Sequence, residues 1–162
     1  MLKVDDEERN IIKEILNKTI EYYGKHDFLG ISYYETDSLI KRQIDNYHDL
    51  QNRGLEEVIK NFFVISIDEV VAISDNAISV GVRASVERYI KCLNNSEVID
   101  GTRDYVAEKK YEFILTKSEG KSQSSCMYCG AIINEDEVKC PYCGTPIIAK
   151  NSNWLVADIK EV

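Results

Sequence analysis

Several features are scarce in this chain of 162 residues, and each scarcity excludes a class of protein. No run of about 18 or more apolar residues occurs, so the sequence predicts no membrane-spanning helix. Basic residues are outnumbered, since 20 Lys and Arg against 28 Asp and Glu give a formal net charge of −8. That charge argues against binding to nucleic acid or to anionic lipid. No secretory signal opens the chain, so we expect a reducing compartment, the cytoplasm.

The remaining composition is that of a folded protein. About 44% of the residues are hydrophobic, which is enough to build a core. The length fits one ordinary domain with a small insertion.

Four of the five cysteines form two Cys-x-x-Cys pairs, each followed by a glycine. Four thiolates in this arrangement are the ligand set of a tetrahedral zinc, and they leave no open position for catalysis. The spacer between the pairs is long enough for one short hairpin. The sequence therefore predicts a zinc ribbon with one structural zinc ion bound by Cys126, Cys129, Cys140 and Cys143.

Other uses of these cysteines are less favoured but stay open. Two disulfides would need an oxidising compartment. A thioredoxin-like redox pair would need to open a helix behind a strand, a context that neither pair has. A rubredoxin-like iron site uses similar pairs with a longer spacer. The fifth cysteine, Cys92, ends a strand pattern and is interpreted as a small buried side chain.

Two amphipathic helices are predicted in the first third of the chain. The first runs from about residue 6 to Tyr23, because an acidic first turn precedes apolar residues at helical spacing: Ile11, Ile12, Ile15, Leu16 and Ile20. Thr36 or Asp37 caps the second helix, and Gly54 ends it. A short helix or turn is predicted within residues 25–34.

From Phe62 onward the apolar period changes to two, which indicates strands. After a turn over residues 55–60, a long first strand is marked by Phe63, Ile65, Ile67, Val71 and Ile73. A tight turn at residues 74–77 leads to a second strand with one apolar face: Ile78, Val80, Val82, Ala84 and Val86. Residues 92–103 are a polar connection, and strands follow at residues 104–116 and 154–162.

The order of these elements predicts the fold class. Helices come first and strands then follow one another directly, which excludes a doubly wound parallel sheet. We expect an α+β fold in which N-terminal helices pack on a curved antiparallel sheet, a cystatin-like cone. The cone would comprise residues 1–117 and 154–162, and the zinc ribbon, residues 118–153, would be inserted before the last strand.

Several motifs resemble one known family. These are Thr36-Asp37-Ser38-Leu39, Asp100-Gly101-Thr102, Tyr111-Glu112-Phe113, the four cysteines, and Trp154 at the start of the last strand. Together they resemble the Tim-forty-four-like domain, which belongs to the mitochondrial import motor's scaffold subunit and shares the cone of nuclear transport factor two. The likeness is greatest to bacterial members with a four-cysteine ribbon before the final tryptophan strand. Relatives often carry a membrane segment or a basic amphipathic helix, and this chain has neither.

The resemblance implies a function as well as a fold. A cone has a concave sheet face where a ligand pocket commonly forms. We expect a non-enzymatic scaffold module, linked to protein transport or membrane-associated assembly, that binds a protein segment or an apolar ligand there. The predicted pocket residues are Tyr47, His48, Tyr105, Tyr111 and Phe113.

Two further expectations concern activity and partners. The alternative function is a small-molecule enzyme of the cone fold, SnoaL-like or isomerase-like, because tyrosines and a histidine are available as acids and bases. A homodimer is also considered, because exposed strand edges in such sheets often pair.

Overall fold

The structure is a computed structural model that describes residues 4–120, 126, 128–134, 137–147 and 150–162. The other residues of the predicted ribbon, 121–125, 127, 135–136 and 148–149, lie outside the described part. Three helices come before five strands: α1 (Asp6–Gly24), α2 (Phe28–Ile31), α3 (Asp37–Asn52), β1 (Leu55–Ser74), β2 (Ala77–Cys92), β3 (Val98–Gly101), β4 (Ala107–Lys117) and β5 (Trp154–Glu161).

All five strands form one antiparallel sheet, in the order β1-β2-β4-β5 with β3 also paired to β2. Strand β1 occupies one edge of β2 along its length, so β3 and β4 follow one another on the opposite edge. The sheet curls into a half-barrel that the helices cover. This arrangement confirms the predicted α+β class with helices on a curved antiparallel sheet.

The helix boundaries follow from capping residues. Asp5 accepts a hydrogen bond from the Glu8 amide at 2.8 Å, and Thr36 accepts one from the Leu39 amide at 3.3 Å. Such caps satisfy backbone donors that a helix leaves free at its N-terminus. Both predicted long helices are therefore confirmed, with their starts at or beside the predicted residues. The short helix α2 also lies where a helix or turn is predicted.

Strand β2 supplies the centre of the core. Its five predicted inward residues, from Ile78 to Val86, are at most 2% exposed. Three of them, Ile78, Val80 and Val82, belong to one core cluster with buried residues of α1, of β4 (Phe113 and Leu115) and of β5 (Trp154 and Val156). The alternation in the sequence thus identified the buried face of this strand correctly.

Strand β1 departs from the prediction. It begins at Leu55 rather than Phe62, and its buried residue is Val64, whereas Phe63, Ile65 and neighbouring apolar residues are exposed. The pairing with β2 shifts at four places, and Asn61 at the first shift has a φ of 58°. Because side chains alternate along a strand, each irregularity can change which side chains of β1 point toward the core.

Two smaller corrections concern the following strands. The predicted polar connection at residues 92–103 contains the short strand β3. Strand β4 starts at Ala107 rather than Asp104, because Asp104 adopts a left-handed conformation with a φ of 60°. Tyr105 therefore precedes the strand.

Two side chains of helix α1 form hydrogen bonds with the backbone at the edge of β1. The Val64 amide donates to Asn17 Oδ1 at 2.9 Å, and Arg9 reaches the carbonyl oxygen of Ile67 at 3.5 Å. Backbone groups on that edge are thus engaged within the chain. Among the described helices, none is long and apolar enough to cross a membrane.

Candidate metal centre and concave cavity

The four paired cysteines lie on the connection between two neighbouring strands. Strands β4 and β5 pair up to Lys117 and Trp154, and the Ser118 amide donates to the Asn153 carbonyl at 3.0 Å just beyond. The ribbon, residues 118–153, therefore leaves and re-enters the sheet at adjacent positions. This geometry places the cysteines outside the cone at one end of a hairpin.

The two Cys-x-x-Cys turns have the same backbone structure. In each, the glycine amide donates to the carbonyl of the first cysteine at 2.9 Å, from Gly130 to Cys126 and from Gly144 to Cys140. Both glycines have φ values near 75°, at 74° and 76°, which a side chain would disfavour. The repeated turn explains why each cysteine pair needs a following glycine.

The turns bring all four sulfur atoms together. The sulfurs of Cys126, Cys129, Cys140 and Cys143 lie within 4.8 Å of one another. The sulfurs of Cys126 and Cys143 are 3.6 Å apart, as are those of Cys129 and Cys140. In a tetrahedral site with zinc–sulfur bonds of about 2.3 Å, neighbouring sulfurs are about 3.8 Å apart. The cluster can therefore hold a metal ion, and its donor set and spacing fit zinc.

Without a cation, the thiols compete for protons. The hydroxyl and amide of Thr145 lower the pKa of Cys143 to about 6. The pKa of Cys129 is raised to about 12: the Ala131 amide favours its thiolate, but lost hydration and the three neighbouring sulfurs outweigh that bond. Four thiolates this close repel one another, so a divalent cation would be needed to hold them all ionised.

A cavity of about 380 Å³ opens between helices α1 and α3 and the concave face of the sheet. This volume lies in the range of small-molecule pockets. Its apolar wall is contributed by both helices and three strands: Ile20, Leu39, Ile59, Phe62, Val86 and Ile159. An apolar group of moderate size would bury its surface there.

One side of the cavity carries a connected polar cluster. The Tyr23 hydroxyl donates to Glu57 Oε1 at 2.6 Å, and Arg88 donates to Glu57 Oε2 at 2.7 Å and to Asp100 at 3.2 Å. Burial, and then the Glu57 charge, raise the pKa of Tyr23 well above its usual range. Burial and then Glu161 raise the pKa of Tyr111 to about 12. Both tyrosines are therefore neutral hydrogen-bonding groups at physiological pH.

The predicted pocket residues do not form one site, although two pairs of them are neighbours: the ring centroids of Tyr111 and Phe113 are 6.1 Å apart, and those of Tyr47 and His48 are 5.7 Å apart. Tyr111 lines the cavity, whereas Phe113 is fully buried in the core beneath it. Tyr47 packs against Phe28 in a separate cluster, and His48 faces a cleft between α3 and the first cysteine turn. Tyr105 is 61% exposed before β4.

Sequence reasoning missed the polar cluster, although one signal was present. Arg88 lies two residues after Val86 in β2, so the alternation of the strand places its charged side chain on the concave face. Glu57 lies in the segment predicted as a turn. In the structure β1 begins at Leu55, so Glu57 is a strand residue that lines the cavity. Tyr23 ends the predicted helix and gave no distinct signal.

Comparison with known proteins defines the fold only. No protein-family model matches the chain, and no curated protein matches it. Among solved structures, the intermembrane space region of the chloroplast protein ARC6 is similar, with a TM-score of 0.57 and 10% sequence identity. The match covers 99% of this chain and 98% of that chain. At this identity the similarity extends to the helix-and-curled-sheet architecture over the full length.

Proposed function

We propose that this chain is a non-enzymatic binding module of the Tim-forty-four-like kind. A structural zinc ion stabilises its ribbon, and its concave cavity takes an apolar ligand or an apolar segment of a protein partner. A role in protein transport or membrane-associated assembly is the family property that we extend to it.

One observation carries the proposal of binding without turnover. The Glu57 carboxylate beside the apolar wall is anchored on both of its oxygens, which accept hydrogen bonds from Tyr23 and Arg88. A general base must lie within hydrogen-bond reach of the proton that it abstracts, and Glu57 is oriented toward its protein partners instead. The apolar wall beside this anchored cluster offers burial and orientation, which is the chemistry of binding.

Native mass spectrometry of the purified protein, before and after denaturation, tests both parts of the proposal. We expect one zinc ion per chain that is lost only when the ribbon unfolds. A small molecule that is released on denaturation would identify the cavity's ligand, and absence of zinc would contradict the metal assignment.

A matched pair of variants tests the cavity directly. Ile159→Asp places a negative charge in the cavity wall, whereas Ile132→Asp changes a ribbon residue that is 84% exposed. With the anion 1-anilinonaphthalene-8-sulfonate as the probe, we expect Ile159→Asp to weaken binding at least about tenfold, because the new carboxylate interrupts the apolar wall and repels the sulfonate. Ile132→Asp should bind as the unaltered protein does. Equal binding by all three proteins would contradict a role for the cavity.

The enzyme alternative makes a different prediction. Tyr111 lines the cavity and, in the described structure, donates no hydrogen bond to another side chain. Turnover of a small carbonyl or hydroxy substrate that is abolished in Tyr111→Phe would favour an isomerase-like function over binding alone.

A further inference from the structure

A buried seam joins the ribbon to the start of helix α3. The Lys150 side chain is 9% exposed, and its ammonium donates to the carbonyls of Ser32 and Glu35 at 2.9 and 2.8 Å and pairs with Asp37 at 2.9 Å. The Asn151 side chain adds a 2.7 Å bond to another carbonyl of the same segment. Two of the three lysine donors make hydrogen bonds to main-chain carbonyls, and the charge is balanced by the ion pair with Asp37. The ribbon therefore holds the α2–α3 connection in place.

The side chain of Glu35 lies inside this seam. It is fully buried, and its Oε2 atom accepts a hydrogen bond from Gln43 Nε2 at 3.2 Å. Within the described residues, neither Glu35 Oε1 nor Gln43 Oε1 has a hydrogen-bond partner. If the Glu35 carboxyl were ionised, Glu35 Oε1 and Gln43 Oε1 would both stay without a donor, which is costly for buried polar atoms.

Protonation of Glu35 would give both of these oxygen atoms a hydrogen-bond partner. A neutral carboxylic acid has one donor, and a primary amide offers one donor and one acceptor in the same plane. The bond from Gln43 Nε2 to Glu35 Oε2 is one half of such a pair, and a proton on Oε1 can supply the other half to Gln43 Oε1. We propose that Glu35 is held as a neutral acid in a two-bond pair with Gln43, and that loss of its proton is a pH switch linking the seam to the cavity.

The charged groups nearest Glu35 belong to the ribbon and to helix α3. Lys150 from the ribbon and Arg42 from α3 favour the ionised form, as does the bond from Gln43, while Asp37 is paired with Lys150. Strand β5 contributes its main chain through a bridge between Glu35 and Val156. Burial outweighs these effects and raises the pKa of Glu35 to about 8.

Gln43 connects Glu35 to the cavity, because the Gln43 side chain also lines the cavity wall. Ionisation of Glu35 would remove the donor to Gln43 Oε1. Two acceptors, Glu35 Oε1 and Gln43 Oε1, would then face each other and repel. The Gln43 amide would then have to turn, which changes the hydrogen-bonding groups presented to a ligand. This regulatory step rests on the proposed binding function, whereas the neutral state of Glu35 stands independently of it.

Carbon NMR of the glutamate carboxyl groups tests the protonation state. We expect one carboxyl resonance with a midpoint near pH 8, absent from Glu35→Gln and present in the control Glu69→Gln, which alters an exposed residue of β1. Titration of the Glu35 resonance together with the exposed carboxylates, near pH 4, would overturn the proposal.

Protein stability provides a second measurement. The folded state keeps a proton on Glu35 that the unfolded chain releases above its ordinary pKa of 4.5, so stability falls as pH rises from there to about 8. The ratio of the folding constants of Glu35→Gln and unaltered protein should grow up to about tenfold per pH unit across this window, then level off. Any packing cost of the new amide is constant with pH. A ratio that does not change with pH would contradict the proposal.

Probe binding distinguishes the two parts. We expect the affinity for 1-anilinonaphthalene-8-sulfonate to change between pH 7 and 9 in the unaltered protein and in Glu69→Gln. In Glu35→Gln, which lacks the titrating carboxyl, this change should be absent. If the carboxyl titrates near pH 8 and probe affinity does not follow it, the link to the cavity is wrong while the neutral acid stands.

Discussion

The predicted cone, described over residues 4–117 and 154–162, and the predicted ribbon differ in how many side chains they bury. The main core of the cone gathers buried side chains from α1, α3 and all four long strands. Among its described residues, the ribbon has a hydrophobic cluster with three buried members, Cys126, Ile133 and Cys140, and two of these are predicted metal ligands. Apolar burial of this extent cannot offset the entropy of ordering the chain. We therefore expect the fold of the ribbon to depend on a metal ion bound by the four cysteines, and the fold of the cone to be independent of it.

Metal removal should produce the largest effect and separate the two regions. Structural zinc sites contribute apparent free energies of about 10–16 kcal/mol, so chelation or Cys140→Ser should unfold the ribbon. We expect amide hydrogen exchange to lose protection in residues 126–147 while β2 and β4 stay protected. Cys92→Ser, outside the cluster, should keep its zinc. Unchanged zinc content in Cys140→Ser would contradict the four-cysteine site.

A cavity in the core of the cone should have a smaller but global effect. Phe113 is fully buried, and truncation of such a residue to alanine costs about 3–5 kcal/mol. Urea denaturation followed by circular dichroism should show this loss for Phe113→Ala. Ile132→Ala, on the exposed surface of the ribbon, should stay within about 0.5 kcal/mol. Similar losses in both variants would mean that the two regions share one core.

The seam between the regions gives the smallest of these predicted changes. Lys150→Met removes the ammonium and leaves Asp37 and two buried carbonyls without it, at a cost of about 2 kcal/mol. The single tryptophan, Trp154, accepts a hydrogen bond from Asn151 in the seam, so its fluorescence should report the change during urea unfolding. Lys160→Met alters an exposed residue of β5 and serves as the control. Equal stability of the two variants would show that the seam does not hold the ribbon.

Some structural features could be read from local sequence because local chemistry decides them. The cap at Thr36 acts over three residues, the alternation of β2 repeats every two, and each cysteine turn spans five. These predictions are confirmed by the helix start, the buried face and the clustered sulfurs. The identity of the metal as zinc and the division into two domains stay predictions.

The predicted pocket shows where local reasoning ends. The five residues predicted for the pocket share aromatic side chains, yet of the five only Tyr111 lines the cavity. The groups that shape its polar side, Glu57 and Arg88, are 31 residues apart and meet only because β1 and β2 pair. The four pairing shifts in β1 then determine which of its side chains face inward.

The sequence by itself determined the helices, the central strand and the two cysteine turns of the candidate metal site, since these depend on spacing within a few residues. Tertiary structure alone decided the faces of β1, the position of the cavity and the burial of Glu35. That carboxyl lies in the polar connection before α3, and Lys150, 115 residues later, covers its main chain. Burial and partners of this kind arise from packing between distant segments, and so they have no periodic signature in the sequence.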